Sequence, residues 1–188
     1  MAKRMKTIYI EWEGPYSLYD IGYDEKSNKA HPYILKNAVL NNERKDFGIY
    51  QIYGFHPVYG ANQLLYIGKA EDQTFAKRIS QEEWEYNYDY KNIEIYVGRI
   101  YNTESADPLN SDGVWSQAID DAESMLIYVH EPARNASNIL NVSKNEKRLK
   151  ELEDIRIFNY GTHRSLMPEI SGEMWIKGLE DFKLFGEA

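Results

Sequence analysis

The chain has 188 residues, of which 43% are hydrophobic and 28% charged, a balance that describes one soluble domain with a sizeable core. It contains no cysteine, which excludes a disulfide framework, a thiolate zinc centre and a cysteine nucleophile together. The net charge of −8 argues against a protein that coats nucleic acid through a broad basic surface, because such binding draws most of its affinity from phosphate neutralisation.

The start, MAKRMK followed by TIYIEWEG, is positively charged but has no apolar run of signal-peptide length. No stretch of the sequence is apolar for long enough to span a bilayer, so the expectation is a cytoplasmic protein with no membrane association. In residues 7–12, Ile8, Ile10 and Trp12 alternate on one face, the period of a half-buried strand. Residues 13–46 are punctuated by Gly14-Pro15, Gly22, Ser27-Asn28 and His31-Pro32, which predicts turns and short helical pieces. Residues 47–53 and 63–68 are short runs rich in Tyr and Ile, with Gly54, Pro57, Gly60 and Asn62 between them. They predict a hairpin with a long loop.

Residues 74–86 predict a helix capped by Asp72 or Thr74, with Phe75 and Ile79 at helical spacing. Period two returns over 93–101 at Ile93, Ile95 and Val97, predicting a third strand of the same sheet. From residue 111, Trp115, Ala118, Ile119, Ala122, Leu126 and Val129 recur at helical spacing until Pro132 stops the pattern. A short helix over 144–153 and a strand over 154–160 follow, and the tail with Gly161, Pro168 and Gly172 has no assignment. Residues 101–138 carry seven acidic side chains against one arginine, and residues 139–164 six basic against four acidic, which predicts separated acidic and basic surfaces.

The order strand, strand, helix, strand, helix places Gly48-Ile49-Tyr50 in one strand and Tyr66-Ile67-Gly68 in the next. Arg78 lies on the following helix, Glu123 in the later one, and Asn135 just past its end. In these triplets, their order and the residues downstream, the chain resembles the GIY-YIG nucleases. The stretch from Glu123 to Asn135, with Pro132 three residues before the asparagine, is similar in spacing to that of bacterial excision-repair nuclease domains, as is the run Tyr66-Ile67-Gly68-Lys69-Ala70. The resemblance covers about residues 47–138, leaving an N-terminal extension 1–46 and a C-terminal extension 139–188. It implies an α+β fold: a small, mainly antiparallel three-stranded central sheet flanked by helices, within a single domain spanning 1–188.

The resemblance further implies a metal-dependent endonuclease that hydrolyses DNA phosphodiester bonds with one Mg²⁺ or Mn²⁺ held by Glu123. Such hydrolysis needs an activated water, a cation to neutralise charge on the phosphate oxygens, and help for the leaving 3′ oxygen. Glu123 supplies a hard oxygen ligand, and Mg²⁺ takes only one or two protein carboxylates while keeping several waters. Three before Leu126 and four after Ile119, Glu123 borders the buried stripe of its helix and is expected to face the sheet. Arg78 offers a planar fork for two phosphate oxygens. Tyr50 takes the place of the general base or water relay, Tyr66 of a phosphate or water contact, and Asn135 of a brace. Gly68, Lys69, Lys147 and Arg148 are expected substrate contacts, the last two from a basic stretch that would position a duplex.

Each of these residues also has a structural reading. Tyr50 and Tyr66 fit half-buried strand tyrosines, Arg78 a helix arginine paired with Glu82, Glu123 an acidic surface shared with Asp120 and Asp121, and Asn135 a turn. Only the joint order of the five favours the site. Where many members of the family carry histidine or tyrosine four residues after the arginine, this chain has Glu82. That departure motivates a second expectation, an inactive scaffold that binds nucleic acid or a protein partner. Tyr86, Tyr88 and Tyr90 are expected to serve packing, with base stacking as the other use.

Overall fold

Strand β1 (Lys6–Tyr16) follows the alternation seen at Ile8, Ile10 and Trp12: all three are buried, whereas Glu11 and Glu13 face solvent. The computed structural model describes residues 5–24, 29–30, 37–81, 92–101 and 114–178. After β1 come a two-stranded ribbon, β2 (Tyr23–Asp24) with β3 (Lys29–Ala30), then β4 (Gly48–His56), β5 (Gly60–Ala70) and helix α1 (Phe75–Ile79). Strand β6 (Glu94–Tyr101) leads to α2 (Val114–His130), α3 (Ala136–Ser143) and α4 (Glu146–Leu152). Strands β7 (Ile155–Gly161) and β8 (Glu169–Ser171) and a π-helical turn (Glu173–Lys177) complete the described chain.

The main sheet has six strands in the order β5-β4-β6-β1-β7-β8, not the three expected. All neighbours are antiparallel except β1 and β7, which run parallel with Lys6 opposite Ile155 and Trp12 opposite Gly161. The expected β4, β5 and β6 form one half of it. Residues 1–46 and 139–178 are therefore no mere flanks: β1 inserts between β6 and β7, and the late strands continue the sheet. The alternation in 7–12 and 154–160 was visible in the sequence, but a local period does not name the strand's partner. The hairpin also differs from expectation, since β4 and β5 run to His56 and from Gly60 and leave only residues 57–59 as the turn.

Helix α2 covers one face of the sheet. Trp115, Ala118, Ile119, Ala122, Met125 and Leu126 are buried against Ile8, Ile10, Trp12, Ile49 and Ile67. Val129, expected in that stripe, is only partly buried. On the other face Tyr50, Ile52, Ile95 and Val97 pack with Phe75, Ala76 and Ile79 of α1 and with Leu18, Ile21 and Leu40. Burying an isoleucine in either layer contributes about 2 kcal/mol relative to exposure. Because both faces are covered, β4 is buried from Gly48 to Gly54.

Gly48 has φ +138°, and a Cβ there would lie 2.2 Å from the Gly98 carbonyl oxygen, so the strand enters the sheet only with glycine. Thr74 caps α1, its hydroxyl accepting from the Lys77 amide at 3.4 Å, which decides between the two candidate caps. The helix ends at Ile79 with Ser80 as its C-cap, short of the expected residue 86, and Glu82, Tyr86, Tyr88 and Tyr90 lie outside the described residues. Among the described residues no helix is long and apolar enough to cross a membrane.

Candidate active site at the edge strand

Strand β5 ends the sheet, so its outer backbone groups need partners from elsewhere. They come from the turn after α2. Glu131 takes φ +45°, the chain reverses at Pro132, and the Ala133 and Arg134 amides donate to the Leu64 and Leu65 carbonyls at 3.3 and 2.8 Å. Asn135 then does with its side chain what a strand does with its backbone. Its Oδ1 accepts from the Ile67 amide and its Nδ2 donates to the Ile67 carbonyl, both at 2.9 Å, with the residue 2% exposed. The outer neighbour of the Tyr66-Ile67-Gly68 run is thus a carboxamide.

Pairing of β4 with β5 sets Tyr50 opposite Gly68 and Ile52 opposite Tyr66. Strand alternation puts Tyr50, Tyr66 and Gly68 on the α1 face, where the two phenol rings sit 6.0 Å apart. Tyr50 is fully buried and Tyr66 half-buried. A Cβ on Gly68 would come within 2.5 Å of the Tyr50 hydroxyl and 2.7 Å of Tyr66 Cε1, so only glycine leaves room for both rings.

Lys69 takes the opposite side of β5, beneath α2. Its ammonium lies 2.8 Å from Asp120 Oδ1 of α2 and 2.8 Å from Glu71 Oε2. Burial alone pushes this lysine down, but the two carboxylates outweigh it and hold it above the usual lysine value.

One helical turn past Asp120, Glu123 is half-buried and pushed up from 4.5 to about 7. Desolvation is the largest cause, Lys69 and Arg78 oppose it, and Asp120 and Glu71 add to it. Arg78, half-buried in the last turn of α1, is the cation on that helix that acts electrostatically on Glu123.

Lys69 and Arg78 thus both act electrostatically on Glu123, Tyr50 and Tyr66 lie together on the α1 face, and Asn135 holds β5 between them. The other two expected contacts lie further off, on α4. Lys147 is exposed there, whereas Arg148 is only 13% exposed and directs its guanidinium to Asp120, Asp121, Ser124 and Glu151 instead of presenting it to solvent. Glu71 and Asp120 were not foreseen as members. The only sequence signal for Asp120 was its place one turn before Glu123, where it read as acidic surface. A cleft of about 410 Å³ lined by residues 54–55, 61–62 and 92–94 contains none of these residues.

A divalent ion suits this donor set on one observation. Glu123 is half-buried, so its carboxylate gains from a nearby cation, and a single hard oxygen is enough for an ion that keeps its waters. Among the described residues no group of three or more His, Asp and Glu forms a fuller cage. No family model, curated protein or solved structure matches the chain.

Proposed function

We propose that the chain is a cytoplasmic, GIY-YIG-type endonuclease acting on DNA, with Mg²⁺ or Mn²⁺ held by Glu123. The observation that carries the reading is the placement of Tyr50, Tyr66 and Gly68 together on one face of β4 and β5, with Lys69 and Arg78 both acting electrostatically on the half-buried Glu123 carboxylate. The ion would supply charge neutralisation on the phosphate and on the departing 3′ oxygen. Arg78, always protonated and forked, binds two non-bridging phosphate oxygens and gains most as charge builds in the transition state. Lys69 adds a second positive contact by exchanging Asp120 or Glu71 for phosphate. Tyr66, half-exposed, donates its hydroxyl to phosphate or water. Tyr50 lies deeper and orients Tyr66 across Gly68. Asn135 keeps β5 straight under all of them.

A second reading, an inactive scaffold that binds nucleic acid or a protein partner, is favoured by the full burial of Tyr50, which keeps its hydroxyl from bulk water.

The deciding experiment incubates plasmid, branched and single-stranded DNA with the protein and Mg²⁺ or Mn²⁺, beside Glu123→Ala and Arg78→Ala. Cleavage by the parent alone, with all three proteins folded by circular dichroism, is the expected result. A parent that leaves every substrate intact ends the endonuclease reading and makes binding to the same panel the test of the scaffold.

A further inference from the structure

Asp120 is 43% exposed at its side chain, and an aspartate so exposed on a helix ordinarily turns freely in water. Here both of its oxygens are committed. Oδ1 accepts from Lys69 Nζ at 2.8 Å and Oδ2 from Arg148 Nη2 at 2.9 Å. The same nitrogen donates to Ser124 Oγ at 3.0 Å. Nη1 donates to Asp121 Oδ1 at 2.8 Å and to Glu151 Oε2 at 3.4 Å.

Asp121 anchors this fork. It is 7% exposed at its side chain, and it also accepts from Lys6 Nζ at 2.9 Å and Gln117 Nε2 at 2.8 Å. The arginine is therefore fixed at one nitrogen by a buried carboxylate and reaches with the other to the exposed one.

We infer that Arg148 is a positioning residue of the candidate site: pinned by Asp121, it fixes Asp120, which in turn holds the Lys69 ammonium on the α2 side of β5. The inference rests on the reading of Lys69, Arg78 and Glu123 as a phosphate site. It makes α4, and the Lys6 end of β1 through Asp121, part of the site's support. A planar fork is required, because one ammonium cannot bridge two carboxylates on successive residues with fixed direction.

The test measures the acylation rate of each lysine in the full chain by peptide mass spectrometry, using a limiting amount of an acetylating ester. Lys77, with a side chain 39% exposed and paired to Glu43, serves as the internal control for Lys69, which is 31% exposed. Arg148→Gln is expected to raise the rate at Lys69 about three- to fivefold and leave Lys77 unchanged. Arg148→Lys and Asp120→Asn should do the same, and the double variant Asp120→Asn/Arg148→Gln should add nothing to either single one.

A Lys69 rate unmoved by both Arg148 variants overturns the inference, as does a double variant in which the two effects multiply. If Arg148→Gln loosens the whole fold, Lys77 rises as well, and the Lys69-to-Lys77 ratio in Arg148→Lys decides alone. Since the labelling uses no DNA, a parent that fails to cleave defeats the nuclease reading and leaves this result standing.

Discussion

The Asn135 carboxamide makes both hydrogen bonds that a seventh strand would offer to the Ile67 peptide group. Replacing it by alanine leaves a buried amide and a buried carbonyl without partners, at a cost of about 2–4 kcal/mol. We expect Asn135→Ala to lower the urea midpoint accordingly. Asn135→Asp, which keeps the acceptor but loses the donor, should not restore it. An alanine variant as stable as the parent would show that water replaces the carboxamide.

Gly68 leaves the space that the Tyr50 hydroxyl fills. In Gly68→Ala the new methyl must displace a ring that is itself fully buried, so overpacking is expected to cost about 1–3 kcal/mol. Adding Tyr50→Phe removes the nearest atom, at 2.5 Å, and should recover part of that loss. Denaturant unfolding of the four proteins forms a double-mutant cycle, and strictly additive effects would contradict the contact.

Glu123 destabilises the fold when it ionises. Its folded value of about 7 lies above the 4.5 of an exposed glutamate, so the stability it contributes is whole below about pH 4.5 and is lost as pH rises through 7. At about 1.4 kcal/mol per pH unit the loss is at most about 3.5 kcal/mol. Glu123→Gln should therefore be more stable than the parent at pH 8 and approach it near pH 4.5. Parallel stability curves would refute the burial cost.

His130 behaves in the opposite sense. Its Nε2 accepts from the Met167 amide at 3.0 Å, which leaves Nδ1 to donate to the Leu126 carbonyl at 3.0 Å, so the fold holds the neutral ring. Burial lowers its pKa below the usual 6.5, outweighing that second bond. The unfolded chain takes up a proton that the fold refuses, and stability falls as pH drops below about 6.5. Relative to His130→Ala, the parent's advantage should be larger at pH 7.5 than at pH 5.5. A gap that widens in acid would reverse the assignment.

What the sequence made legible follows from the range of each signal. Helix α2 carries its apolar stripe within seventeen residues, so its face and its Pro132 stop could be read locally. The alternation of Ile8, Ile10 and Trp12 likewise marked β1 as a strand. Its neighbours β6 and β7 could not be read, because pairing depends on residues far along the chain. At the site, Asn135 and Glu123 stand out through the resemblance to the GIY-YIG nucleases, whereas the carboxamide's bonds to Ile67 belong to tertiary structure. Arg148 misled for the same reason. In sequence it stands among Lys144, Lys147 and Lys150 as one more exposed cation, and only the packing of α4 against α2 turns it inward to Asp120 and Asp121.

The parallel pairing of β1 with β7 also bears on how the protein is made. Strand β1 leaves the ribosome first, yet one of its two neighbours is synthesised only near residue 155, so its edge stays open through most of translation. Contacts of such sequence separation slow folding. A nascent chain arrested just after Asn135 would hold the Tyr50, Glu123 and Asn135 motif residues, but its sheet would end in β1 as an unpaired strand. The segment from Ile155 onward thus acts as a template that must arrive before the older part is safe from aggregation.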